Sequence, residues 1–161
     1  MAATLERALR DQLLGLVEGG KTFRDPDDLL DGWPADAVGR RADGHPHTAW
    51  QLVWHIQAAQ RDLIDFARDP DYRAPSWPDE YWPESASPTS ESAWGELIDT
   101  VRRDRDELRR LLDDAKFDLL STAPTGDGET FLRSVLMAIE HNAYHLGQLA
   151  VLKRALGVNS A

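Results

Sequence analysis

The apolar residues of the chain recur in four long segments with the spacing of amphipathic helices. The first predicted helix lies near the N-terminus and ends at Gly19 and Gly20. The second covers 48–68, where Thr48 and Gln51 match a capping box. The apolar positions are Leu5, Leu9, Leu13, Leu16 and Val17 in the first helix, and Leu52, Ile56, Ala59, Leu63 and Phe66 in the second.

The third and fourth predicted helices follow the same pattern. The third begins after the sequence SPTSE, and we expect its opposite side, rich in Asp, Glu and Arg, to face solvent. The fourth covers 130–156, with Lys153, Arg154 and Gly157 suited to a helix C-terminus. The apolar positions are Trp94, Leu97, Ile98, Val101, Leu108, Leu111 and Leu112 in the third helix, and Leu132, Val135, Leu136, Ile139, Ala143, Leu146 and Ala150 in the fourth.

Because no segment alternates like a strand, the sequence predicts an all-α fold, a four-helix bundle. The connections of about 28, 20 and 14 residues exceed the two to eight that antiparallel neighbours need, so some must cross the bundle end to end. The second connection contains a Trp-rich loop at 75–88, with Trp77, Tyr81 and Trp82 among prolines. This loop is either a lid over one end of the core or a substrate contact, and a lid is the simpler interpretation.

The composition indicates a soluble globular protein with one domain over 1–161. A hydrophobic fraction of 42% is enough to fill one core, and a net charge of -10 disfavours nucleic acid and anionic lipid as partners. No uninterrupted apolar stretch reaches membrane-spanning length, and the N-terminal sequence MAATLERALRDQ lacks the apolar region of a signal peptide. We therefore expect a cytoplasmic protein without a membrane partner.

The sequence HNAYHLGQ places two histidines in the fourth predicted helix. His141 and His145 are four residues apart, so their rings project from one face about 6 Å apart along the axis. An unpaired imidazole in apolar surroundings costs about 1–3 kcal/mol, and a divalent metal ion can bind both rings. The chain has no cysteine, so any metal site must use histidines, carboxylates or amides.

His55, in the second predicted helix, is the candidate third ligand. Three histidines would leave coordination positions open for water or substrate, as a catalytic site requires. The alternative is that all three are hydrogen-bonded core residues. His45 and His47 flank Pro46, and a loop role explains them better, although His47 can approach a site at that end.

The residues near these histidines do not identify a general base. Asn142 stands where an H-E-x-x-H protease carries glutamate, which argues against that class. Glu140 projects about 100° from His141, whereas Glu80 and Glu84 reach the site only if the Trp-rich loop folds over it. Gln51 and Gln148 either orient substrate or water or, more simply, form hydrogen bonds between helices.

The segments TAWQLVWHIQAAQRDLIDFARDPDY, WPDEYWP and HNAYHLGQLAVLKRALG resemble the DinB-like superfamily. Its members include YfiT-type metal-dependent hydrolases and low-molecular-weight-thiol S-transferases. The resemblance covers about 48–157. It implies a bundle with up-down-down-up topology, a nickel or zinc site at His55, His141 and His145, and a homodimer.

The resemblance also implies the reaction class. It favours a metal-dependent enzyme acting on a small-molecule substrate, either an S-transferase that uses a thiol such as bacillithiol or mycothiol or a hydrolase. The alternative within the family is a non-catalytic metal-binding or stress-response protein. An interaction module with histidines in its core would need no metal. The substrate does not follow from the resemblance.

Overall fold

The computed structural model describes residues 2–20 and 25–158. This part of the chain forms five α-helices and one short 3-10 helix at Asp79–Tyr81, and its only bridge of β type joins Thr122 to Thr130. None of these helices carries an apolar stretch sufficient to cross a lipid bilayer. The α-helices are α1 (Ala2–Val17), α2 (Pro26–Leu30), α3 (Ala49–Arg68), α4 (Ala93–Asp113) and α5 (Phe131–Ala155).

The four long helices are those that the sequence predicts. The predicted capping box starts α3: the Thr48 hydroxyl accepts from the Gln51 amide, and the Gln51 side chain accepts from the Thr48 amide. Gly157 adopts a φ of 70° just after α5, as the predicted C-terminus requires. The sequence interpretation missed α2 because its five residues are too few to show a helical period.

The helices form a bundle with up-down-down-up topology, as expected. Arg10 of α1 bonds to the C-terminal end of α4, whereas Arg109 pairs with Glu18, so these two helices are antiparallel. Gln60 bonds to Val101 and the later Arg68 to Glu107, so α3 and α4 are parallel. Two apolar clusters show that α3 and α5 are antiparallel: one contains Leu52 and Val53 with Leu149 and Leu152, and the other Ile64 and Ala67 with Phe131 and Val135.

The parallel pair α3 and α4 explains the long second connection. After α3 ends, the chain must return along the helix before α4 can begin in the same direction. The Tyr72 hydroxyl donates to Asp62, and Ala86 accepts from the Thr48 hydroxyl at the other end of α3. The connection, 69–92, therefore lies along α3 and does not simply cover one end of the core.

The core face predicted for α5 is confirmed only in part, because the buried face is rotated from it by about 100°. Val135 is buried, Leu136 is exposed, and the half-buried positions packed against the core are Leu132, Ile139, Leu146 and Ala150. Ile139 and Leu146 also line the cavity beside the end of α1. The face that packs on α3 starts one position earlier. Its buried residues are Phe131, Val135, Ala138, His145, Leu149 and Leu152.

Two charged faces also differ from the expectation. On α4, Asp104 is buried, and its carboxylate accepts from Gln57 and Arg61 of α3, so the charged side is not wholly solvated. At the end of α5, Lys153 is buried and donates to the Asp28 and Asp31 carbonyl oxygens around α2. The α2 carbonyls thus take the place of solvent for this cation.

Helix α1 buries a cation where an apolar side chain was expected. Leu5, Leu9 and Leu16 are exposed, whereas Arg10 is only 7% exposed. The Arg10 guanidinium donates to main-chain carbonyl oxygens at the end of α4, at 2.9 Å from Leu112, with further bonds to Asp114 and Phe117. The Leu112 and Asp114 carbonyls lie at the C-terminal end of α4, where carbonyls lack helical partners and carry the negative end of the helix dipole, whereas Phe117 follows the helix. The cation therefore stabilises the α1–α4 contact.

Replacing Arg10 by methionine is expected to lower the free energy of unfolding by about 2–3 kcal/mol, since buried carbonyls lose their donors. The control is Arg7→Met on the same helix, because Arg7 is exposed and lies 3.9 Å from its nearest carboxylate, Asp11. That change should alter stability by less than about 0.5 kcal/mol. Urea unfolding followed by circular dichroism measures both, and equal losses would contradict the capping role.

Candidate metal centre

Three histidines from two helices meet in the interior of the bundle. His55 lies on α3, and His141 and His145 lie one turn apart on α5. The Nε2 atoms of His55 and His141 are 3.0 Å apart, and one nitrogen from each of the three rings lies within 4.8 Å of the others. The structure thus brings together the three residues that the sequence predicts, although they are separated by up to 90 positions.

The helix packing places these rings without help from charged groups. Because α3 and α5 run antiparallel, the middle of each helix faces the middle of the other, where these histidines lie. His55 is 3% exposed and His145 8% exposed, whereas His141 is half-buried at the edge of the cluster.

Hydrogen bonds determine which nitrogen of two rings faces inward. The Nδ1 atom of His55 lies 2.9 Å from the Tyr81 carbonyl oxygen, and that of His145 lies 2.8 Å from Gln148 Oε1. A carbonyl or amide oxygen only accepts, so both Nδ1 atoms carry the proton. Each Nε2 then presents a lone pair toward the cluster, as a metal ligand must.

The electrostatics of the cluster favour neutral imidazoles. Burial lowers the pKa of His141 to about 4, with a smaller contribution from the neighbouring rings of His145 and His55. Burial likewise lowers the pKa of His55 and of His145, against the opposing effect of their hydrogen bonds to Tyr81 and Gln148. The three rings are therefore unprotonated at pH 7 and available as ligands.

The cluster fits a divalent metal ion. With bonds of about 2.1 Å, adjacent ligands are about 3.0 Å apart in octahedral geometry and about 3.4 Å apart in a tetrahedron. The 3.0 Å between His55 and His141 lies in this range. Without an ion, one of those two Nε2 atoms must donate to the other, and the buried His141 Nδ1 has no partner of good geometry. Imidazole ligands suit both zinc and nickel.

The Trp-rich loop covers one side of the cluster. The Trp82 ring stacks on His55 with centroids 4.0 Å apart and on His47 with centroids 4.3 Å apart. Two rings this close to one indole must lie on its opposite faces, so Trp82 is held between them. The loop is therefore a lid over the histidines, whereas Trp77 is 68% exposed beside it. His47 approaches the site through this stack, as the sequence allowed.

An open groove adjoins the cluster on the α5 side. It has a volume of about 350 Å³, and its lining includes His47, Leu52, Tyr144 and Gln148. Gln148 also holds His145, and the exposed Tyr144 ring contacts the His145 ring edge-on at 4.9 Å. Tyr144 and Gln148 thus lie between the groove and His145.

The other candidate residues have separate places. Gln51 belongs to the capping box, and Gln148 bonds to His145 on its own helix, so neither forms the expected bond between helices. Glu140 and Glu84 are exposed, and the Glu80 carboxylate accepts from the Ser76 amide. None of these three carboxylates belongs to the histidine cluster. His45 lines the groove next to Pro46.

Sequence reasoning missed the hydrogen-bond and stacking partners of His55. Tyr81 and Trp82 were noted only as aromatic residues of the loop, and Asp62, which accepts from the Tyr81 hydroxyl, was not noted at all. One signal was present: Asp62 lies seven residues after His55, hence on the same face of α3. A polar residue at that spacing indicates a second contact for the segment that covers the histidine.

A family model described as the DinB superfamily matches residues 21–149, a range that contains all three histidines. No curated protein and no solved structure matches the chain. The family match spans well over half of the 161 residues. The chain therefore belongs to the DinB superfamily.

Acid should destabilise the metal-free protein through these rings. Since folding lowers the pKa of His141 from 6.5 to about 4, the unfolded chain binds the proton first. The stability that depends on a neutral His141 is fully present above pH 6.5 and is lost as the pH falls toward 4. Between pH 7 and about 4.5, wild type should lose on the order of 1 kcal/mol more than His141→Gln, allowing for partial exposure. Urea unfolding at both pH values measures this, and parallel losses would contradict it.

Proposed function

We propose that this member of the DinB superfamily holds one divalent metal ion, nickel or zinc, on His55, His141 and His145 and uses it to transform a small-molecule substrate. The observation that carries the proposal is the convergence of three neutral imidazoles, two of them with Nδ1 bonded so that Nε2 faces the cluster. Three protein ligands leave coordination positions for water or substrate, which distinguishes a catalytic site from a closed structural one.

The reaction class is a low-molecular-weight-thiol S-transfer or a hydrolysis. A bound divalent ion supplies Lewis acidity, which ionises a coordinated thiol or lowers the pKa of water. The chain has no cysteine, so a thiol nucleophile must arrive as a cosubstrate such as bacillithiol or mycothiol. The groove lined by Tyr144 and Gln148, which both contact His145, offers that molecule a place near the ligands, and His45 and His47 are its other polar side chains.

The second candidate is a metal-binding or stress-response protein without catalysis. The stacked Trp82 favours it, since this ring shields one face of His55. The groove beside Tyr144 and Gln148 favours the enzyme, because a purely structural ion gains nothing from an approach route for a ligand. On balance we infer an enzyme.

Assembly and location form part of the same proposal. The exposed apolar side chains of α1 and α5 support a homodimer, because such a surface is better covered by a second copy than left in water. A cytoplasmic location is part of this proposal. The exposed apolar residues are Leu5, Leu9 and Leu16 on α1, and Leu136 and Met137 on α5.

Untagged protein purified without a metal-affinity column is expected to retain about one equivalent of nickel or zinc. His145→Ala should lose most of it, since two histidines remain. Glu140→Ala is the matched control, because Glu140 is an exposed carboxylate one position from His141. Elemental analysis by mass spectrometry measures all three proteins. Equal metal content in wild type and His145→Ala would contradict a metal site at these histidines.

The enzyme and the non-catalytic alternative differ in turnover. Metal-loaded protein incubated with low-molecular-weight thiols and a panel of electrophiles is expected to form conjugates, or to hydrolyse members of an ester and amide panel. Metal-free protein and His145→Ala should not do so. Mass spectrometry of the products reads the result. If metal-loaded protein gives neither conjugate nor hydrolysis, the non-catalytic function is the better description.

A further inference from the structure

One residue of the connection 69–92 contacts two turns of α3 at once. The Tyr81 carbonyl oxygen lies 2.9 Å from His55 Nδ1, and the Tyr81 hydroxyl donates to Asp62 Oδ2 at 2.7 Å. His55 and Asp62 are seven residues apart, so they lie on one face of α3 about 10 Å apart along its axis. The carbonyl oxygen and the hydroxyl lie at opposite ends of Tyr81, so this one residue bridges the two turns.

The main chain of Tyr81 is also fixed within the loop. Its amide donates to the Pro78 carbonyl at 3.0 Å, in the 3-10 turn that Asp79–Tyr81 forms. The Glu80 amide and carboxylate both bond to the main chain of Ser76. The turn is therefore held internally, and the bond from Tyr81 to Asp62 joins it to α3 one residue before the Trp82 stack on His55.

The two contacts on the His55 ring have different effects. Stacking on Trp82 fixes the plane of the ring. It does not determine whether Nδ1 or Nε2 carries the proton, because a stacked indole contacts the face of the imidazole and bonds to neither nitrogen. The Tyr81 carbonyl does distinguish them, since it accepts only from a protonated nitrogen. The position of that carbonyl thus determines whether Nε2 presents a lone pair to the cluster.

We propose that Asp62 is a positioning residue for the metal centre: by anchoring the Tyr81 phenol it holds the Tyr81 carbonyl on His55 Nδ1 and keeps Nε2 ready to bind the ion. The inference rests on the proposed metal function. Hydrogen-bond partners of ligand histidines typically change metal affinity by ten- to a hundred-fold when they are lost. Asp62 acts one bond further out, so the lower end of that range is expected.

The structure supplies a matched control. The Tyr72 hydroxyl donates to the other oxygen of the same carboxylate, Asp62 Oδ1, at 2.6 Å. Tyr72 lies nearer the start of the connection 69–92, and among the described residues it has no contact with the three histidines. Tyr81→Phe and Tyr72→Phe therefore remove the same atom and the same kind of bond, but only the first releases the segment that contacts His55.

The first measurement is the affinity for Zn²⁺, determined by competition with a chromophoric chelator at pH 8. Tyr81→Phe should bind Zn²⁺ about ten-fold more weakly than wild type, and Asp62→Ala should match it. Tyr72→Phe should stay within about two-fold of wild type. The inference is overturned if Tyr81→Phe and Tyr72→Phe have the same affinity.

The second measurement needs no metal and so separates this inference from the proposed function. Nitrogen NMR of the imidazoles in metal-free protein at pH 8 reports which His55 nitrogen carries the proton. Wild type and Tyr72→Phe should show the Nδ1–H tautomer alone, whereas Tyr81→Phe should show a mixture. An unchanged tautomer in Tyr81→Phe overturns the positioning role. Failure of wild type to bind Zn²⁺ would instead overturn the metal function.

Discussion

The burial of three uncharged imidazoles between α3 and α5 is the constraint on which the rest of the site depends. Loss of water lowers the pKa of His55, His141 and His145, so the rings remain neutral at pH 7. Neutral rings can pack against one another at centroid separations of 4.5 to 4.7 Å, where three imidazolium ions would repel strongly. Their nitrogens then need partners other than water: Tyr81 and Gln148 bond to the Nδ1 atoms of His55 and His145, whereas His141 Nδ1 has no partner of good geometry.

The topology of the bundle provides those outer partners. Because α3 and α4 are parallel, the chain must return along α3, and the returning segment brings the Tyr81 carbonyl and the Trp82 ring to His55. An up-down-up-down bundle would join these helices by a short turn and leave His55 facing solvent. The long connection is thus both a requirement of the topology and the wall of the site.

The sequence was sufficient for the features that depend on local pattern. The long helices, the capping box at Thr48 and the pairing of His141 with His145 follow from spacing along one helix. The approach of His55 depended on the second and fourth predicted helices being neighbours, which spacing alone does not show. The face of α5 could not be predicted, because two adjacent apolar stripes are present and the choice between them depends on packing with α3. The burial of Arg10 likewise could not be predicted, since its partner, the Leu112 carbonyl of α4, lies more than 100 residues away.

Asn142 shows how the fold limits the chemistry of the site. Its amide donates to Gln60 Oε1 on α3 at 2.8 Å, so the position that carries glutamate in an H-E-x-x-H protease is used here to join two helices. The candidate carboxylates Glu80 and Glu140 are exposed and do not belong to the cluster. On the proposed function, the helices supply only the ligands that hold the ion. The group that attacks the substrate must then come from solvent or from a thiol that enters by the groove beside His145.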